Sequence, residues 1–108
     1  MACDSFFYSK PAQDDLDEII DYIARRLENP SAAANFLDEL SDKIGTICNF
    51  PKSCPIVENV FLKRKDVRKA LVGSYVVFFY FDETKRCVVI LRIVYGQRDL
   101  EGILKSLD

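Results

Sequence analysis

The sequence has 108 residues, the length of one domain, and 49% of them are apolar, enough for a packed core without disulfides or metal. A net charge of −2 argues against a protein that binds nucleic acid over its whole surface. The absence of histidine excludes Ser–His and Cys–His catalysis as well as histidine-ligated metal centres.

The charges are divided unevenly along the chain. Residues 1–50 carry four basic and ten acidic side chains, a net charge of −6. Residues 51–108 carry eleven basic and seven acidic side chains, a net charge of +4. Such an asymmetry suggests two partners of different chemistry.

The sequence indicates a cytoplasmic protein without metal, cofactor or membrane partner. Its four cysteines include no Cys-x-x-Cys pair, so we expect free or buried thiols in a reducing compartment. The longest apolar run, Tyr75–Phe81, is far shorter than the ~20 residues that span a bilayer. Asp4 interrupts the N-terminus before the apolar run that a signal peptide requires.

The first half of the chain predicts a strand and a first helix. Asp4–Tyr8 is rich in aromatic residues, which is typical of a short strand. Ser9 then supplies a capping hydroxyl, and Pro11 lacks only an N–H group that a first helical turn does not use. The apolar residues that follow have helical spacing: Leu16, Ile19, Ile20, Ile23 and Leu27.

A second helix follows the break at residues 28–31 and ends by Phe50-Pro51. Its apolar stripe consists of Ala33, Phe36, Leu37, Leu40, Ile44 and Ile47. Because the connection is so short, the two helices must fold back as an antiparallel hairpin. The joint apolar face of this hairpin requires a sheet as its cover.

The second half predicts a meander of three strands. Residues 51–59 contain two prolines and no periodicity and predict a loop, and residues 61–66 fit a loop, an edge strand or a turn. Apolar strands follow at 67–72, 75–81 and 86–95, with connections short enough for hairpins. Residues 100–107 suggest a short final helix. We therefore predict one α+β domain over residues 1–108: an N-terminal strand and an antiparallel helical hairpin packed on a small antiparallel sheet with a C-terminal meander.

Basic side chains in the meander are candidate binding residues. Residues 63–69 contain five of them against one acidic residue: Lys63, Arg64, Lys65, Arg68 and Lys69. They could bind phosphates or an acidic protein surface, or they could keep an edge strand from pairing with other chains. Strand alternation places Arg68 beside Ala70 and Val72. Arginines among such apolar strands predict that at least one face of the sheet meets water or a charged partner.

A second candidate site lies at the end of the last strand, with Arg92, Tyr95 and Arg98. The arginines could hold a phosphate or carboxylate, and the phenol could relay a proton or stack on a base. Alternatively, Arg98 pairs with a neighbouring carboxylate and Tyr95 belongs to the core. Gly96 permits a bend that would direct Arg98 back over the sheet.

Alternation along the last strand also assigns its residues to faces. One face receives Val88, Ile90, Arg92 and Val94. The other face receives Val89, Leu91, Ile93 and Tyr95.

An ordered series of segments resembles the plasmid-stabilisation toxins of the RelE/ParE superfamily. The matching segments are 9–12, 15–16, 20–24, 36–38, 50–51, 67–69, 73–80 and 89–99. The resemblance implies the same helical hairpin on an antiparallel sheet. It also implies a type II toxin held inactive by a cognate antitoxin.

The superfamily has members with two kinds of target. Members that resemble RelE cleave mRNA on the ribosome with basic residues and a tyrosine or histidine, whereas those that resemble ParE inhibit DNA gyrase. Here Val76 and Leu104 stand where the nuclease pattern has an arginine and a tyrosine, although Arg98 is kept and Arg68 falls near a basic position. The resemblance therefore favours a gyrase inhibitor that is not an enzyme. The alternatives are a ribosome-dependent mRNA endonuclease that uses Arg68, Tyr95 and Arg98, and a non-toxic relative that only binds an antitoxin.

The residues expected to bind the target or the antitoxin are Lys63, Lys65, Arg68, Lys69, Arg92 and Arg98. Antitoxins of such pairs are commonly acidic, which suits the basic second half of the chain. A homodimer and a toxin–antitoxin hetero-oligomer both remain open.

Overall fold

Two helices cover one face of a four-stranded sheet in the computed structural model, which describes residues 5–58, 62, 64–96 and 102–103. The elements are β1 (Ser5–Tyr8), α1 (Lys10–Asp21), α2 (Pro30–Asn49), β2 (Arg68–Val72), β3 (Tyr75–Asp82) and β4 (Cys87–Tyr95). A π-helical turn, Tyr22–Arg26, extends α1, and a 3₁₀ turn, Pro51–Ser53, follows α2. The predicted α+β architecture is confirmed. No helix in the described ranges is long and apolar enough to cross a bilayer.

The first helix begins at the predicted cap, Ser9, and the second is capped by Asn29, inside the predicted break at residues 28–31. The Ser9 hydroxyl accepts a hydrogen bond from the Ala12 N–H at 3.2 Å, and the Asn29 side chain accepts one from the Ala32 N–H at 3.1 Å. Each cap satisfies one of the N–H groups that a helix start leaves without an internal partner. Glu28, with φ of 50°, reverses the chain between the helices.

The sheet has the order β1-β4-β3-β2. Strands β2, β3 and β4 form the predicted antiparallel meander. β1 pairs with β4 in the parallel direction, from Ser5 opposite Cys87 to Tyr8 opposite Ile90. The sheet is therefore mixed, whereas the prediction was an antiparallel sheet. The prediction missed the parallel pair because the aromatic pattern of β1 specified neither its partner strand nor its direction.

A β-bulge in β4 overturns the predicted assignment of faces. Arg92 pairs with Phe78 but Ile90 pairs with Phe79, so Leu91 is an extra residue in the ladder. The alternation predicted one face for Val88, Ile90, Arg92 and Val94, but the bulge separates Val88 and Ile90 from Val94, and Arg92 pairs with Phe78 of the outer cluster. In the structure the residues that face the helices include Val88, Ile90 and Ile93, whereas Leu91 and Val94 pack on the opposite face.

The face away from the helices, here called the outer face, is covered at its centre, whereas Lys69 and Leu71 of β2 on the same face are exposed. Its centre holds a second apolar cluster, formed by Leu62, Val67, Val76, Phe78, Val94 and Ile103. Leu62 and Ile103 cover the strands there, and they are 1% and 8% exposed. Ile103 is helical, but most of the predicted helix at 100–107 lies outside the described residues.

Candidate functional site

The predicted binding residues do not form one cluster. Arg68 contacts the turn after α2, and Arg92 contacts α1. Lys65 donates to the Leu62 carbonyl at 2.5 Å, while Lys69 is exposed on β2. Lys63 and Arg98 lie outside the described residues.

Arg92 holds α1 against β4 through Asp15. Its Nε and Nη2 atoms donate to the two oxygens of Asp15 at 2.6 and 3.0 Å, a bidentate geometry. The Ile93 N–H also donates to Asp15, at 3.0 Å. The hydrogen bond to Asp15 raises the pKa of Arg92 above the already high value of an ordinary arginine. Since the two side chains are only 20% and 11% exposed, this pair serves the fold and leaves little of Arg92 for a ligand.

The position of Asp15 explains why the pair exists. β1 ends at Tyr8, opposite Ile90, so the edge of β4 would be open beyond that point. The Ser9 hydroxyl donates to the Leu91 carbonyl at 2.9 Å, and Asp15 accepts from the next N–H along this edge. The start of α1 thus replaces the missing length of β1. Sequence reasoning missed Asp15, because only its place in the first helix was visible.

Arg68 shares the helix-side face with Ala70 and Val72, as predicted. Its Nη1 atom donates to the carbonyl of Cys54 at 2.6 Å and to that of Lys52 at 3.2 Å. These bonds hold the turn that leads out of α2. The Arg68 guanidinium therefore fixes the chain at residues 52–54. It also lines a neighbouring cavity.

That cavity has a volume of about 410 Å³ and mixed charge. It is lined by Lys52, Arg64, Asp66, Arg68, Tyr80, Phe81, Asp82 and Glu83. Arg64 binds Asp66 at 2.6 and 3.2 Å, which raises the pKa of Arg64, and Lys52 binds Glu83 at 2.8 Å. Three basic and three acidic side chains line the cavity, so its charges balance and do not favour a phosphate.

Tyr95 belongs to an aromatic cluster at the far end of the sheet. Tyr95 is 40% exposed, and its ring lies 5.7 Å from the ring of Tyr75, which in turn lies 5.2 Å from the ring of Phe36. Arg68 is level with Phe79, four residues from Tyr75 along β3, or roughly 13 Å. The structure does not bring Arg68 and Tyr95 together.

Val76 occupies the outer face where the nuclease pattern has a basic residue. It is 7% exposed and belongs to the apolar cluster with Leu62 and Val94. An arginine there would lose its hydration unless the cluster opened. Leu104, the other departure from the nuclease pattern, lies outside the described residues.

The sequence matches the family model described as "ParE toxin of type II toxin-antitoxin system, parDE" over residues 6–100. Comparison with the curated proteins gives no match.

Solved structures of toxin–antitoxin systems have a similar fold. They include a chromosomal ParDE system from P. aeruginosa (TM-score 0.68, 16% identity, 89% of this chain and 98% of that one). The RelBE2 complex from Mycobacterium tuberculosis has a TM-score of 0.59 and 17% identity, over 84% and 95% of the two chains. The archaeal RelE–RelB complex from Pyrococcus horikoshii has a TM-score of 0.51 and 15% identity, over 92% and 100%.

Proposed function

Because the chain belongs to the ParE toxin family of type II toxin–antitoxin systems, we propose that it poisons DNA gyrase by binding it and is not a nuclease. The buried, apolar Val76 is the observation that carries this choice. RNA cleavage requires charged groups that stabilise a developing phosphorane and move its protons. An apolar cluster at the centre of the outer face offers neither.

The remaining basic residues support the same proposal. Arg68 is bonded to backbone carbonyls and Arg92 to Asp15, so two residues expected at a site have structural roles. Arg68 and Tyr95, which the endonuclease alternative combines with Arg98, are far apart. A nuclease that acts on the ribosome would also need many basic residues to displace counterions from the RNA phosphates. A protein with a net charge of −2 is poorly suited to that surface.

The proposed regulator is a cognate antitoxin in the cytoplasm. The similar structures from M. tuberculosis and P. horikoshii are complexes of RelE-type toxins with their antitoxins. The acidic antitoxin binds the basic residues Lys65 and Lys69, which the fold leaves exposed. Its proposed binding surface also includes Lys63 and Arg98, which lie outside the described residues. Opposite charges across such an interface accelerate association and select the partner.

A supercoiling assay and transcript mapping test the target. The purified protein should inhibit DNA supercoiling by gyrase, and addition of the antitoxin should restore it. Induction in cells should leave mRNA intact. Cuts at defined codons of translated mRNA, with supercoiling unaffected, would refute the proposal and favour the endonuclease.

The antitoxin assignment has its own test. Lys65→Glu with Lys69→Glu should weaken antitoxin binding, because both changes reverse charge on the assigned surface. Lys85→Glu, in the exposed β3–β4 turn, is the matched control and should bind normally. Equal antitoxin affinity for all three proteins would remove these residues from the interface.

A further inference from the structure

The N-terminal strand β1 lies at one end of the sheet, and its outer edge is open. The Ser9 N–H donates to the Ile90 carbonyl at 2.9 Å, so the backbone groups of Ser9 face β4. Because alternate residues of a strand face the same edge, the groups of Phe7 also face β4, whereas those of Phe6 and Tyr8 face outward. Among the described residues, nothing bonds to these outward groups.

The edge of β1 lacks the features that usually prevent pairing with another chain. Residues 5–9 contain no charged residue and no proline. Phe6 lies beside Tyr8 on the side of the helices, and Phe7 lies on the outer face. The two phenylalanines are 45% and 48% exposed, so both faces of the strand present an aromatic ring beside the open edge.

The edge at the other end of the sheet differs from that of β1. The Lys69 N–H of β2 donates to the Pro55 carbonyl at 3.1 Å, and the Val57 N–H donates to the Val67 carbonyl at 2.8 Å. The Lys69 side chain is exposed there, and lysine on an edge opposes further pairing. An association through β1 therefore closes at two copies instead of continuing as a chain of sheets.

The outward groups of β1 are complementary to those of a second copy of the strand. Phe6 and Tyr8 lie symmetrically about Phe7, so an antiparallel pair with its two-fold axis at Phe7 sets Phe6 of each copy opposite Tyr8 of the other. Each of these opposed pairs exchanges two hydrogen bonds, so all the outward groups are satisfied. Phe7 then stands opposite Phe7 of the second copy, at the closely spaced position where aromatic side chains pack on each other.

The charges beyond the ends of the strand are compatible with this register. Asp4, which lies outside the described residues, and Lys10 are each three positions from Phe7 in the sequence. Antiparallel pairing about Phe7 brings residue 4 of one copy into register with residue 10 of the other, and their charges are opposite. Arg86 is level with residue 4, and Asp14 binds Lys10 at 2.8 Å, so neither sign accumulates at either end of the interface.

We propose that the outer edge of β1 is a homodimer interface, in which two copies pair β1 antiparallel about Phe7 and join their sheets into one. The four half-exposed phenylalanines of such a dimer would bury roughly 370 Å², at about 200 Å² for a fully exposed ring. Stable interfaces bury at least about 1,200 Å², so we expect a reversible dimer with a dissociation constant in the micromolar range or weaker. The inference does not depend on the target of the toxin.

Sedimentation velocity of the purified chain over a range of concentrations, up to about 1 mM, measures the association. Phe7→Lys places like charges directly opposite each other at the axis and should raise the dissociation constant at least about tenfold. Leu71→Lys is the matched control, because Leu71 is an exposed apolar residue of the other edge strand, and it should dimerise like the wild type.

Cysteine cross-linking tests the register. Under oxidation, Phe7→Cys should form a covalent dimer, because Cα atoms at the axis are about 4.5 Å apart, within the range of a disulfide. Phe6→Cys should not, because its counterpart lies diagonally, at about 7–8 Å. Both variants carry Cys3→Ser, which removes the thiol that precedes the strand in the sequence.

A chain that stays monomeric up to about 1 mM would overturn the inference, as would a wild-type dissociation constant in folded Phe7→Lys. Cross-linking through Phe6→Cys but not through Phe7→Cys would overturn the register. Thermal unfolding establishes that each variant is folded, and the cysteine pair decides the question if Phe7→Lys is not.

Discussion

Removing the carboxylate of Asp15 should lower the free energy of unfolding more than the removal of any exposed ion pair described above. Asp15→Ala takes away the bidentate partner of Arg92 and the acceptor of the Ile93 N–H. Loss of one partner from a buried pair costs about 3–5 kcal/mol, and the partial exposure of these side chains places the expected loss near the lower limit, about 3 kcal/mol. For a domain of this length that corresponds to a fall in Tm of about 12–20 °C.

A double-mutant cycle with Asp15→Ala and Arg92→Ala isolates the pair from other effects of the substitutions. Urea unfolding followed by circular dichroism should give a coupling energy of about 2 kcal/mol. Asp14→Ala, which breaks the exposed Lys10–Asp14 pair, is the control and should leave the midpoint unchanged. A coupling energy below about 0.5 kcal/mol would refute the structural role of Arg92 and return it to the candidate binding residues.

Gly96→Ala should destabilise by about 1–2 kcal/mol, because the new Cβ would lie 3.2 Å from the Ser74 carbonyl oxygen. Gly45 lies inside α2, where a new Cβ would have no other atom within 4 Å, so Gly45→Ala should instead stabilise the protein by about 0.5–1 kcal/mol. Urea unfolding measures both variants, and effects of the same sign would contradict this reasoning. Burial raises the pKa of Tyr75 above 10.0, so the folded state retains a proton that the unfolded chain loses. Stability should therefore fall as the pH rises above about 10, and the fall should be smaller in Tyr75→Phe; an identical alkaline dependence of Tm would exclude this cause. Burial also raises the pKa of Tyr8, which provides a remaining alkaline dependence in that variant.

The sequence predicted those parts of the fold whose signal is local. The two helices have regular apolar spacing and capping residues next to it, and the hairpin connections of the meander are short. The bulge at Leu91 could not be predicted, since alternation carries no mark of an extra residue. The partner of β1 was equally hidden, because three aromatic residues in succession specify a strand but not its neighbour.

The site was less predictable than the fold for a similar reason. Arg92 and Asp15 are 77 residues apart, so the sequence showed a basic residue without its partner. Arg68 was placed on its correct face, but its carbonyl acceptors at residues 52 and 54 lie in a segment without periodicity. Burial of Val76 depends on Leu62 and Ile103, whose packing is a property of the folded chain.

The parallel pairing of β1 with β4 affects when the protein can become active during its synthesis. Residues 5–8 acquire their strand partner only when residues 87–90 have left the ribosome. Closing a loop of that length costs roughly 4 kcal/mol of chain entropy, which the bonds at the start of α1 must offset. Such distant pairings form late in folding. A chain from which residues 87–90 have not yet emerged therefore cannot form the finished sheet, and any activity that requires this sheet must wait until synthesis is almost complete.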